Sequence, residues 1–137
     1  MKIEKFEDIK AWQEARVLVK MIYAIVNFDR HFVNDYKLRE QIQGAAVSIM
    51  SNIAEGFSRR TTKEFVQFLF IAKGSTAEVQ SQLYVALDQG YINEKKFDEL
   101  YTKADEIARL VSGFIRYLLN KDKPQESKEP NKLREPK

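Results

Sequence analysis

Ser48, Ser51, Asn52 and Glu55 are the residues whose types and spacing come nearest to a chemical site. Offsets of three and four bring Ser48, Asn52 and Glu55 onto one face of a helix, with Ser51 beside them. Ala45, Ala46, Ile49 and Ile53 are interleaved with them, so this helix packs closely on more than one side. Polar groups in such a setting are costly unless paired. The pattern therefore predicts a structural hydrogen-bonded network reaching another helix or subunit, with Glu78 and Gln82, one turn apart, as candidate partners. The same face could alternatively hold a small ligand.

A second group is basic. Arg59, Arg60 and Lys63 follow Phe57 at the turn between two helical patterns. Cations beside a helix N-terminus can grip phosphates through charge and free amides together. Lys95 and Lys96 come from a different connection, at the opposite end of an antiparallel arrangement, and add two further candidate phosphate contacts. Such pairs are also ordinary solvated helix ends. Repeated around a ring of subunits, they would form a basic rim.

Other chemistry finds little support. A di-iron bundle centre uses Glu-x-x-His pairs on two helices. This chain has one histidine, His31, and no such pair. It has no cysteine, so thiolate catalysis and disulfides are absent, and a Ser-His-Asp triad would have to be built on His31 alone. Lys73-Gly74-Ser75-Thr76 resembles a phosphate loop only superficially: the full Gly-x-x-x-x-Gly-Lys-Ser/Thr order is missing, and the segment lies mid-helix. Gly74 there reads as a site of close helix approach, with Ser75 and Thr76 hydrogen-bonding within or between helices. No enzyme activity, metal or cofactor is expected.

The elements that position these residues are helical throughout. Ile9, Trp12, Ala15, Val19, Ile22 and Val26 form the stripe of a first helix over 7 to about 31, with Leu18, Ile25 and Phe28 as a flank. That broad arc suits deep burial or a second partner. Asn34 or Asp35 can cap the next helix, whose stripe runs from Leu38 through Ile42, Ala45, Ile49 and Ile53 to a closing Gly56. Thr61 and Glu64 make a capping box for the third, with its seam at Phe65, Leu69, Ala72, Thr76, Val79, Leu83 and Ala86. Gly90 ends it. Asn93 caps the fourth, flanked by Ile92 and Phe97 as a staple, and Phe97, Leu100, Ala104, Ile107, Val111, Phe114 and Leu118 alternate by threes and fours. The expected fold is all-α, an antiparallel up-down-up-down four-helix bundle over 1–120.

From 121 to 137 the composition changes to three prolines, ten charges and one large aliphatic residue, Leu133, which predicts a disordered tail. That tail carries six basic and four acidic residues; the preceding 120 carry 17 and 16, a net of only +1. Any basic surface must therefore come from patterning. The start, Met1-Lys2-Ile3-Glu4-Lys5, has no apolar leader core, and charges interrupt the apolar stretches well short of a bilayer span. A cytoplasmic protein without membrane contact is expected.

Several segments, in order, resemble the 23S ribosomal RNA intervening-sequence protein family. They are Phe6-Glu7-Asp8-Ile9-Lys10-Ala11-Trp12-Gln13-Glu14-Ala15, then Ala45 through Gly56, then Glu64-Phe65 to Phe68-Leu69 and Ile71 to Glu78, and finally Gly90-Tyr91-Ile92. The resemblance implies a four-helix bundle assembled as a ring, typically a homopentamer, without known enzyme activity. It is also similar to the basic pentameric accessory proteins of diversity-generating retroelements, which implies RNA or DNA and a protein partner. Gln43-Gly44, Val33 and Met50 stand where relatives often carry arginine, proline and proline respectively.

Overall fold

The computed structural model describes residues 2–121, and among them it contains five α-helices and no strand. A 3-10 turn at Phe6–Asp8 leads into α1 (Lys10–Phe28), α2 (Arg30–Asn34), α3 (Tyr36–Phe57), α4 (Thr62–Asp88) and α5 (Glu94–Lys121). The helix expected over 7 to about 31 is therefore divided. Asp29 adopts extended backbone, and its carboxylate accepts the Phe32 N–H at 3.0 Å, which ends α1 and starts α2. An aspartate capping its own downstream turn competes with helix continuation, and here it wins. The charged tail expected from 121 onward lies, beyond Lys121 itself, outside the described residues.

Capping follows the sequence closely elsewhere. Asp35, rather than Asn34, starts α3 by accepting from Leu38 N at 3.2 Å. Thr61 Oγ1 accepts from Glu64 N at 3.1 Å and donates to Glu64 Oε1 at 3.0 Å, so the two side chains meet each other. Asn93 accepts from Lys96 N at 2.8 Å. Gly90 turns the chain after α4 at φ +77°, a conformation that costs an L side chain about 1–2 kcal/mol.

α1 packs on α3 and α5, and α4 packs on the same two helices from the other side. The seams expected for α3 and α4 are all buried, as is that of α5 from Leu100 to Leu118, while Phe97 at its start is half-buried. In α1 the core side is rotated from expectation. Ala11, Leu18 and Ile25 are buried with Ala15, Ile22 and Val26, whereas Trp12 and Val19 are half-buried and Phe28 is 87% exposed. The wide apolar arc left two stripes to choose from, and the packing partners made the choice.

Gly56 takes the role expected of Gly74, and Gly74 takes neither role. Gly56 lies inside α3, one residue before its end, without positive φ. A Cβ there would meet Phe68 Cβ at 2.8 Å and Phe65 Cδ1 at 2.9 Å, so Gly56 is the point of close α3–α4 approach. Gly74 is exposed and has nothing within 4 Å of a would-be Cβ.

Candidate functional site

Of the six residues expected to share a polar network, Ser48 and Asn52 are joined. Asn52 Nδ2 donates to Ser48 O at 2.8 Å and to Ser48 Oγ at 2.9 Å, one turn back along α3. Ser75 Oγ, buried on α4, donates to Ser48 Oγ at 3.0 Å, so Ser48, Asn52 and Ser75 join the two helices. The neighbouring Thr76 instead satisfies its hydroxyl within α4, donating to Lys73 O at 2.6 Å. Ser51 and Glu55 face solvent, and Glu55 accepts from Arg59 at 2.8 Å instead of from the network. Glu78 is exposed, and Gln82 Oε1 is buried with no hydrogen-bond partner among the described residues. Neither is a partner of Ser48 or Asn52. The three joined groups are neutral, and no acid or base bonds to either serine hydroxyl, which suits alignment of α3 with α4.

The basic residues are divided between two ends. Tyr91 Oη donates to Asp35 Oδ2 at 2.9 Å and its ring stacks on Phe32, so the α2 region and the α4–α5 connection share one end. Lys95 and Lys96 lie there, and Lys96 pairs with Glu99 at 3.5 Å. Arg59, Arg60 and Lys63 lie at the α3–α4 turn, at the other end. Arg59 is held by Glu55 and sits 4.7 Å over the Phe68 ring. Arg60 and Lys63 are exposed and have no ion-pair partner among the described residues.

Two further features had weaker signals in the sequence. Lys103 on α5 donates to Glu14 on α1 at 2.6 Å and pairs with Glu106 at 3.6 Å. The hydrogen bond holds the Glu14 carboxyl below its ordinary value and raises the Lys103 ammonium. Glu14 belongs to the opening segment, but its partner is 89 residues away and spacing could not reveal it. At the Tyr91 end, a cleft of about 630 Å³ runs between α1 and α5, lined by Met21, Ile25, Phe28, Ile92, Lys96 and Leu100 among others. His31 lines a shallower polar hollow beside it with Asp35 and Tyr91. The Asp35 hydrogen bond raises the Tyr91 phenol above its ordinary value. No cluster of three metal-ligating side chains occurs among the described residues.

The sequence model of the 23S rRNA-intervening sequence protein family matches residues 7–113. Among solved structures, the chain is similar to a protein of unknown function from the S23 ribosomal protein family of Bacteroides thetaiotaomicron VPI-5482. The TM-score is 0.65 at 23% identity, over 77% of this chain and 98% of that one, a likeness of fold. No curated protein matches. No helix among the described residues is long and apolar enough to cross a membrane.

Proposed function

Because the chain belongs to the 23S rRNA-intervening sequence protein family, we propose that it is a non-enzymatic, self-associating helical protein that binds structured RNA or DNA. In this reading α1, α3, α4 and α5 run as an antiparallel up-down-up-down four-helix bundle. Like subunits close into a ring, of five by analogy with the family, in the cytoplasm. The observation that supports nucleic-acid binding is the exposed pair Arg60 and Lys63 at the α3–α4 turn, with no ion-pair partner among the described residues. A ring repeats this pair once per subunit around one rim, and repetition supplies the charge that a near-neutral subunit lacks.

Anisotropy of labelled hairpin RNA and duplex DNA, at about 50 and 150 mM salt, tests the proposal. Binding that persists at the higher salt is expected. Changing Arg60 and Lys63 together to alanine should weaken it and reduce the salt slope by about two. No binding at the lower salt would contradict the proposal.

A second reading has its own support. Arg59 and Lys96 are each engaged by a carboxylate, and Lys95 and Lys96 are set among Glu94, Asp98 and Glu99 at the far end. These features favour a scaffold ring that engages a protein partner and never touches nucleic acid. Co-purification of one protein with the full chain, free of RNA and DNA, would favour it.

A further inference from the structure

The solvent sides of the long helices differ sharply in charge. α5 exposes Glu94, Lys95, Asp98, Glu106, Arg109 and Arg116, the ordinary mixture of a wetted helix. The outer side of α4 carries Phe70, Gly74, Ala77, Ser81 and Val85 at steps of four and three, all exposed and none charged. Phe70 is 53% exposed and Val85 44%, and Ile71 beside them is 53% exposed. On α3 the adjoining exposed stripe is Gly44, Val47 and Ser51, again uncharged. The Ser75–Ser48 hydrogen bond fixes the two helices side by side, so the stripes make one face. Half-exposed Phe and Ile side chains leave on the order of a few hundred Å² of apolar surface there, a patch of the size that marks an interaction site.

The charges bordering that face indicate what covers it. On the α3 side these are acidic: Glu40 and Glu55 stand one turn before and one turn after the α3 stripe, and Glu78 lies on α4 one turn beyond Ser75, toward α3, while the exposed Lys73 borders the α4 stripe one turn from Phe70 and Ala77. Glu55 is already paired with Arg59; Glu40 and Glu78 have no ion-pair partner among the described residues. The complementary surface is on the chain itself. α1 exposes Val17 at 40% and Tyr23 at 41%, and its exposed charges, Lys10, Arg16 and Lys20, are all basic. The one acidic residue of α1, Glu14, is half-buried against Lys103.

We propose that the exposed side of α1, centred on Val17, Lys20 and Tyr23, docks on the α3–α4 face of a second copy, with Arg16 and Lys20 meeting Glu40 and Glu78. The inference rests on the self-association proposed above and names its two surfaces. Large α1 side chains and small α3–α4 residues are matched as knobs to a shallow groove. The two surfaces lie on different helices of one subunit, so the contact is head-to-tail, and every subunit uses both. Closure of that contact gives a ring.

Complementation by mixing tests this directly, with each full chain followed by native mass spectrometry and its folding checked by circular dichroism. Ala77→Arg places a charge in the middle of the α4 stripe, and Arg16→Glu with Lys20→Glu reverses the α1 side; all three positions are exposed. Each variant alone is expected to be a folded monomer. Their mixture is expected to form a one-to-one heterodimer through the single intact contact that remains. Persistence of full assembly in either variant would overturn the inference, as would continued association of the α1 variant alone, the result expected if the α4 face meets itself, or two monomers that fail to pair. An unaltered chain that is monomeric would refute the self-association reading as well, and so separates the two failures.

Discussion

At Gly56 a single hydrogen sets how closely two helices approach. A glycine inside a helix ordinarily costs about 0.5–1 kcal/mol relative to alanine. Here a methyl would press on Phe68 and on Phe65, including its backbone oxygen at 3.3 Å, which a rotamer change cannot relieve. Gly56→Ala should therefore lower the unfolding free energy by about 1–3 kcal/mol, against the usual sign, as measured by urea denaturation. The sequence revealed that a glycine mattered at the end of α3 but assigned its reason to backbone conformation and gave close approach to Gly74. Contact across helices depends on their relative register, which periodicity within one helix does not contain. The same limit explains why Asn52 with Ser48 was legible at a spacing of four, whereas Ser75, 27 residues from Ser48, was not placed with them. At Glu14 the Lys103 hydrogen bond depresses the carboxyl in the native state. Its contribution is full above the ordinary glutamate value of 4.5 and is lost as pH falls through the lowered native value. Glu14→Gln should accordingly flatten the acid limb of stability against pH; an unchanged slope would show that the pair adds nothing. Lys103, whose value is raised, contributes fully below 10.5 and loses its contribution as pH rises through the native value.

Among the elements, α5 was the most legible because its apolar residues form one narrow stripe on a charged helix. α1 was less so, since its arc is wide enough for two rotational settings and the buried set became Ala11, Leu18 and Ile25. α2 went unread although its signal was present: Asp29 three residues before Phe32 is an N-cap pattern. Caps also define what each connection contributes. Thr61→Ala removes an acceptor for Glu64 N and should cost about 1 kcal/mol in chemical denaturation. Asp35→Ala should cost more, because the same carboxylate starts α3 at Leu38 N and receives the Tyr91 hydroxyl from the α4–α5 connection. Equal losses in the two variants would mean that the Tyr91 contact does not hold that end together.

For the molecule as a whole, the distribution of charge carries more information than its sum. A net of +3 over 137 residues divides into a near-neutral helical part and a basic tail, and within the helical part charge is concentrated on α5 and sparse on the outer side of α3 and α4. The sequence made the all-α fold and its cores readable through periodicity. It also divided the five basic candidates between opposite ends, since an antiparallel order of helices alternates the connections, and the Tyr91–Asp35 junction agrees with that division. Nucleic-acid binding and head-to-tail docking both depend on one property, association of like subunits, since a lone subunit offers only Arg60 and Lys63 at one end and leaves an uncharged face in water. Sedimentation equilibrium of the full chain at micromolar concentration measures that property most directly. A single species of five times the 16.0 kDa chain mass is expected; a species of one chain mass across the concentration range would contradict association.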